Sequence, residues 1–414
     1  MNPKPLHISA LFCCLLLSLP SFSQLRKIYF SPKAARGGNQ SLFIDSIRII
    51  PLERIPGVEI DGEYVYPIIT DKYIIMKIYN SSKIYLFDRE GKFLKEIADK
   101  KFKNQSAGYD KLTNKIIVRS HNKNYTLTER DWLKVSIDYA NPRNKKYYKK
   151  YEVDLDDPEL KVTKSDVNPY EILDASPFYK DYFYNTNIVV SDLFKDTLDY
   201  ELKIYKNKQP IRSFFPYDKQ KEPRHFYGNG NISISSTGFD SIKLFTRPYY
   251  DTIYKLQGDS IFPIARMVLP QENSLPTSFF SDPFKNKTAR ENFEANSGWL
   301  MKQIHNFSEN NRFIFLTISF FGNYGRYAYD KKTQIAYDYK KIKADSTQYN
   351  LPILQAGGTQ KDKGRYYAYV KLDALKAAFN KNRDMPWPDS VKAIAADKER
   401  FFNSALVEYV FKNN

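Results

Sequence analysis

Two hairpins built to the same plan constrain this chain more than any other feature. The first runs from Tyr249 to Pro270, YYDTIYKLQGDSIFPIARMVLP, with a QGDS turn between two strand-like arms. Tyr250, Ile253, Tyr254 and Leu256 are the aromatic, β-branched and aliphatic types that suit a pleated surface. Gly258 supplies the backbone freedom that a tight connection needs. The second, KIYLFDREGKFLKEI from Lys83 to Ile97, repeats strand, Asp-Arg-Glu-Gly turn, strand. A chain that reuses this unit builds sheets from short antiparallel connections.

Strand patterns recur along nearly the whole length. The clearest are Ile44 to Leu52, Tyr73 to Tyr79, Ile116 to Ser120, Leu202 to Tyr205, Ile242 to Thr246, Phe313 to Phe320 and Tyr366 to Val370. Tyr125 to Thr128, Leu133 to Ile137 and Tyr170 to Leu173 are weaker members of the series. Two segments break it. Thr288 to Ile304 has Glu291 three residues after Thr288, a capping-box spacing, and predicts a helix. Asp389 to Asn403, with Asp389 or Ser390 as cap, predicts a second. Both read as helical insertions between strands. The charged stretch around 141–166 is the best candidate for a break, yet similar strands lie on both sides of it. So many sheet units without a division favour a β-propeller, which protects its edges by radial repetition, over a β-sandwich.

Residues 1–23 stand apart. Lys4 gives a positive start, Ala10 to Leu19 is an apolar run too short to span a bilayer, and Ser21-Phe22-Ser23 offers small residues for cleavage before Gln24. This reads as a signal peptide followed by a flexible segment, 24–40, and one large domain, 41–414. Lipidation at Cys13 or Cys14 is the alternative, against which Phe12 is a poor lipobox residue. Both cysteines fall in the leader, so an exported chain carries no disulfide, zinc-thiolate site or cysteine nucleophile. Its fold rests on burial alone.

The formal charge is +17, or +16 without the leader's single lysine. Basic runs such as Lys340-Lys341 suit either a polyanionic partner or a solubilised, edge-guarded β surface. No nucleic-acid-binding signature accompanies them, and an exported protein has little access to nucleic acid. The 33 tyrosines and 29 phenylalanines fit a large antiparallel scaffold with aromatic cross-strand pairs.

Here the residues carry a resemblance. Ile50-Pro51-Leu52-Glu53, the hairpin KIYLFDREGKFL from Lys83 to Leu94, and Asp251 to Leu256 (DTIYKL) followed by Asp259-Ser260-Ile261 and Pro263 occur in a characteristic order. Together they make the chain, from about Ser41 onward, similar to a family of secreted bacterial six-bladed β-propellers of largely unassigned function. Asn403-Ser404-Ala405-Leu406 stands where that family usually shows Asn-Pro-Val-Leu before its last strand. Two departures are the missing proline after Asn403 and Asp99 to Gly108 in place of a glycine-rich run. The resemblance implies an all-β, six-bladed β-propeller with short helical insertions. It also implies a ring closed by pairing Ile47 to Leu52 with Leu406 to Phe411. Sharing 391 residues among six units gives about 65 each, enough to hold those insertions.

Motifs for chemistry are absent. His121, His225 and His305 are the histidines beyond the leader, and none has metal-ligand spacing. No G-x-S-x-G elbow occurs. Asp154, Asp156 and Asp157 start like a calcium loop, but Pro158 and the missing glycine and glutamate leave a solvated acidic loop as the default. Asp251 and Asp259 read as turn residues that hydrogen-bond the backbone. No catalytic residue, metal or cofactor is assigned. The candidate binding residues are Arg224, His225 and Tyr227 before a Gly-Asn-Gly turn, and Tyr324 and Arg326 in FGNYGR, where arginine and tyrosine suit anionic sugars. The expected function is a non-catalytic binding module for a protein or anionic glycan, exported to the periplasm or cell surface. The alternative is a carbohydrate-active hydrolase or lyase with its site in the central funnel.

Overall fold

Antiparallel meanders account for the chain, in a computed structural model that describes residues 25–58, 60, 65–78, 83–98, 106–121, 128, 146–166, 176–179, 181–186, 198–207, 209–218, 232–237, 241–281, 284–355, 360–362, 364–396 and 402–414. Three strands come first: β1 (Arg26–Tyr29), β2 (Arg36–Asn39) and β3 (Ile44–Glu53). Blade 1 is β4 (Val65–Ile69), β5 (Ile74–Ile78), β6 (Lys83–Phe87) and β7 (Phe93–Ala98). Blade 2 is β8 (Ser106–Asp110), β9 (Lys115–His121), β10 (Tyr148–Asp154) and β11 (Val162–Ser165). Blade 3 is β12 (Ser176–Tyr179), β13 (Tyr182–Asn185), β14 (Leu198–Lys206) and β15 (Gln209–Asp218). Blade 4 is β16 (Ser233–Ser236), β17 (Ile242–Thr246), β18 (Thr252–Gln257) and β19 (Ser260–Val268). Blade 5 is β20 (Met301–Glu309), β21 (Phe313–Phe320), β22 (Tyr324–Asp330) and β23 (Ile335–Lys343). Blade 6 is β24 (Gln360–Asp362), β25 (Arg365–Lys371) and β26 (Phe402–Phe411), completed on its outside by β3. The six sheets form a six-bladed β-propeller, and first strands of adjacent blades touch, β16 with β20 and β24 with β4.

Why the strands read as unbroken hydrophobic runs follows from the seams. Alternate side chains of a strand point to opposite faces, and here each face meets another blade. In β21, Phe313 and Phe315 pack with blade 6, whereas Ile314, Leu316, Ile318 and Phe320 pack with blade 4. In β6, Ile84 and Leu86 face blade 2, and Tyr85 and Phe87 face blade 6. The core is therefore a set of wedges between blades.

The expected ring closure is present. β26 pairs antiparallel with β3, setting Leu406 opposite Ile50, Val407 opposite Ile49 and Tyr409 opposite Ile47. Two motifs of the family resemblance meet at this seam. The Glu53 amide donates to the Gly91 carbonyl at 2.9 Å, and the Glu53 carboxylate accepts the Phe93 amide at 2.8 Å. Gly91 has φ +87°, and a Cβ there would lie 1.9 Å from the Pro51 carbonyl oxygen, so only glycine fits.

Several expectations change. Residues of the 24–40 segment, expected to be flexible, supply β1, which pairs parallel with β19, and β2, which pairs parallel with β23. The N-terminal stretch is thus a belt across the outer edges of blades 4, 5 and 6. The helix expected over 288–304 ends early, as α1 (Lys287–Asn296). Its cap is Asn286, not Thr288: the Asn286 side chain accepts the Ala289 amide at 2.8 Å. Residues from Met301 onward turn into strand β20, after Ser297-Gly298 interrupts the helix. α2 (Leu372–Lys381) was not expected, and α3 (Asp389–Ala396) is shorter than the predicted helix, whose residues 397–401 lie outside the described residues. Segment 1–23, most of 125–128, and 133–137 and 170–173 also lie outside them.

Candidate functional site

In a four-strand meander, the turn between the second and third strands shares an end with the connection to the next blade. That rule puts these segments on one face of blades 4 and 5: residues 247–251, residues 269–281 with 284–300, and the 321–323 turn. Tyr249 is their meeting point. It has φ +68°, the left-handed region that a bulky residue seldom enters. The conformation is held by its amide, which donates to the Lys302 carbonyl of blade 5 at 2.6 Å. Its ring lies 5.2 Å from Phe279 and 6.2 Å from Phe321, centroid to centroid. Strain of this kind persists only where the surroundings over-determine it, and it clusters at functional sites.

Two arginines support the turn. Arg290 of α1 is 6% exposed and donates to the Tyr249 hydroxyl at 2.9 Å. It also pairs with Glu294 at 2.8 Å, and its guanidinium carbon lies about 5 Å from the rings of Tyr249, Phe279, Phe284 and Phe321. Burial pushes the Tyr249 phenol up to about 12, opposed by the Arg290 charge and hydrogen bond. Arg247 makes a bidentate pair with the fully buried Glu201 of blade 3, at 2.9 and 2.7 Å. Its guanidinium carbon is 4.0 Å from the Phe215 ring centroid and 3.8 Å from that of Tyr250. Tyr250 is thereby fixed.

These supports enclose a cavity of about 340 Å³, lined by Tyr249, Tyr250, Asp251, Arg266, Phe280 and Met301 among others. Asp251 accepts from Arg266 Nε at 2.9 Å and from the Thr252 hydroxyl at 3.3 Å. Its side chain therefore organises other side chains rather than the turn backbone expected from sequence. Three aromatic rings with one acid and one base suit a ligand that presents both a ring face and hydroxyl groups. Among the described lining residues, Asp251 is the one carboxylate, so the paired acids of glycoside cleavage do not converge here. A second cavity, about 470 Å³, lies under the N-terminal belt at Tyr29, Phe30, Arg36, Pro270 and Gln334.

The residues singled out in the sequence fall elsewhere. Arg224, His225 and Tyr227 lie outside the described residues. Tyr324, at the start of β22, is 61% exposed, with the Lys340 ammonium 5.5 Å from its ring centroid. Arg326, on the same strand, sits 5.7 Å from the Tyr339 ring at the seam with blade 6. There burial raises the Tyr339 phenol well above its usual range, reinforced by Tyr409 and Tyr366 and opposed by Arg326. Neither residue lines the pocket. Tyr250 was visible only as a strand-compatible aromatic and Tyr249 only as the start of the hairpin segment, and Arg266 and Phe280 carried no signal. The acidic loop at Asp154 is a turn: Asp154 accepts the Asp156 amide and Asp157 the Glu159 amide, each at 2.9 Å. Among the described residues no group of three His, Cys, Asp or Glu side chains is placed to hold a metal.

No protein-family model and no curated protein matches the chain. Solved structures do. A Bacteroides fragilis protein inferred to be exported aligns with a TM-score of 0.58 at 14% identity, covering 93% of this chain and 99% of that one. A DUF4221 family member from Bacteroides vulgatus aligns with a TM-score of 0.41 at 10% identity, over 89% and 97% of the two chains. A streptogramin B lyase aligns at 0.32 and 10% identity, over 88% and 98%. The likeness to the Bacteroides fragilis protein is one of fold: the chain is a six-bladed β-propeller.

Proposed function

We propose that this chain is an exported, non-catalytic binding module whose ligand is a glycan, held in the 340 Å³ pocket at the junction of blades 4 and 5. The observation that carries this reading is the combination of Tyr250 and Phe280 rings with the Asp251–Arg266 pair. A carboxylate and a guanidinium side by side accept from and donate to neighbouring hydroxyls of one sugar, while a ring stacks on its apolar face. The acid and base in the pocket cancel, so selectivity there rests on hydroxyls and ring faces. The net charge, +16 without the leader, favours anionic glycans by long-range attraction. The apolar leader and the exported structural relative support the periplasm or cell surface.

Titration calorimetry against a panel of neutral and uronate oligosaccharides tests this, with a parallel assay for new reducing ends or unsaturated product. The expected result is saturable binding without turnover, weakened about ten-fold or more by Arg266→Ala. Turnover would instead make the protein a carbohydrate-active enzyme. Absence of binding to every glycan would leave a protein partner as the ligand class.

A further inference from the structure

Exposed aromatic rings cluster on the face that carries the pocket. Phe280, at the pocket mouth, is 41% exposed; Trp299 is 51% and Tyr324 61% exposed. Tryptophan is mostly buried in folded proteins, so a half-exposed one next to a pocket is informative. Trp299 is also not on a loose loop. Its carbonyl accepts from the Asn273 side chain at 2.9 Å, and Asn273 adjoins Ser274 of the pocket wall. The Gly322 amide donates to the Gly298 carbonyl at 3.0 Å, and the Phe321 amide to the Leu300 carbonyl at 3.2 Å. A Cβ on Gly322 would come within 3.0 Å of the Gly298 Cα, so the two backbones are clamped together. The indole rests against Phe320, 5.8 Å between centroids, and about half of the residue's surface is in solvent.

Tyr324 lies at the same end of blade 5 as Trp299, two strands from the start of β20. Its side chain is on the blade 6 side of the sheet, whereas Trp299 rests on Phe320 of the blade 4 side. Met301 pairs with Phe320 and Ser319 with Tyr324, so the starts of β20 and β22 are separated by two strand spacings, roughly 10 Å. The turn between them is anchored by the Phe320 amide, which donates to the Asn323 carbonyl at 2.7 Å. Lys340 over the Tyr324 ring adds a cation beside the outermost ring.

We infer that the ligand is a chain of several sugars, with its end or one internal unit in the pocket and Trp299 and Tyr324 as outer subsites. The inference rests on the glycan reading of the pocket. Rigid aromatic side chains stack on the apolar faces of successive sugar rings at little entropic cost, because their positions are already fixed. A single sugar would fill the pocket and leave both exposed rings unused.

The test measures affinity against chain length by calorimetry, using one-, two-, four- and six-unit members of the glucose, mannose and galacturonate series. Affinity should rise about ten-fold or more between the two-unit and six-unit members of the recognised series. Trp299→Ala should remove most of that rise and leave two-unit binding unchanged, and Tyr324→Ala should remove a smaller part. Equal affinity at all lengths overturns the inference while leaving the pocket reading intact. So does a Trp299→Ala variant weakened equally for short and long ligands. Length-dependent binding that Arg266→Ala does not touch refutes the pocket and retains the outer subsites. No binding at any length removes both. Thermal melts of each variant confirm that the fold is kept.

Discussion

Arg290 donates to the Tyr249 hydroxyl at 2.9 Å, and this bond ties the segment linking blades 4 and 5 to a left-handed residue of blade 4. A bulky residue in that region costs about 1–2 kcal/mol. The cost is met by the bond from its amide to Lys302 and by ring contacts on Phe279 and Phe321. Tyr249→Phe keeps the ring and removes one of the two partners, beside Glu294, of a buried guanidinium whose Nη1 already has no hydrogen-bond partner among the described residues. The expected loss is about 1–3 kcal/mol in urea unfolding. Tyr249→Gly relieves the backbone but loses the ring, and should be the more damaging of the two. Equal stability of Tyr249→Phe and the parent would show that the bond is ornamental.

Closure of the ring depends on β26. Leu406 and Ile50 face each other, both essentially without exposure, and Glu408 next to them accepts the Tyr367 hydroxyl at 2.9 Å and pairs with Arg365. Arg89 of blade 1 donates to the same hydroxyl at 2.6 Å, which carries the network across the seam. Removing Val407 to Asn414 takes away the second half of the strand that joins β25 to β3, Val407–Phe411, so the cooperative thermal transition should collapse. Glu408→Ala removes the acceptor of the Tyr367 hydroxyl and the carboxylate that pairs with Arg365 and Arg89, and should cost about 3 kcal/mol. An unchanged melting profile for the deletion would contradict closure through this strand.

Legibility in the sequence followed burial. Strands such as β6 and β21, apolar on both faces because both meet another blade, were recognisable from composition alone. The belt strands were not. RKIY and RGGN are short, charged or glycine-rich, and their parallel partners lie far along the chain, so no local pattern marks them. Met301 to Ile304 read as the end of a helix because apolar residues at that spacing fit either period. The pocket draws residues from the 247–251 turn, the end of β19 and the connection to blade 5, and only the fold brings them together. The exposure of Tyr324 was legible because Tyr, Gly and Arg together suggest a loop, although Tyr324 itself begins strand β22. Arg326, two residues on, faces the blade seam instead.

Acid should weaken blade 2 through Glu152. Burial alone would raise this carboxyl, but Lys150 and Lys115, at 2.9 and 3.0 Å, outweigh it and hold the group at about 2, against 4.5 when unperturbed. A depressed carboxyl contributes stability above its unfolded value and loses it as pH falls toward the folded one. The stability gap between the parent and Glu152→Gln should therefore be full above about pH 4.5 and shrink as pH falls to 2. Urea midpoints across that range measure it. A gap independent of pH would mean that the ion pairs contribute nothing to folding.

Stripping the belt separates ring closure from edge protection. A chain beginning at Ser41 retains β3 and its pairing with β26, but lacks β1 and β2. It loses Ile28, Phe30 and Ala35, each at most 3% exposed, from the wedge between blades 4 and 5. Burial of a large apolar side chain is worth about 1.5–3 kcal/mol, so Ile28 and Phe30 alone predict a clear fall in melting temperature. The outer edges of β19 and β23 would be uncovered, and open edges pair with other chains. The shortened protein should unfold in one cooperative transition at lower temperature and self-associate more than the parent in light scattering. Loss of all cooperativity would make the belt part of the closure. An unchanged melting temperature and unchanged association would mean that β1 and β2 add nothing the ring needs.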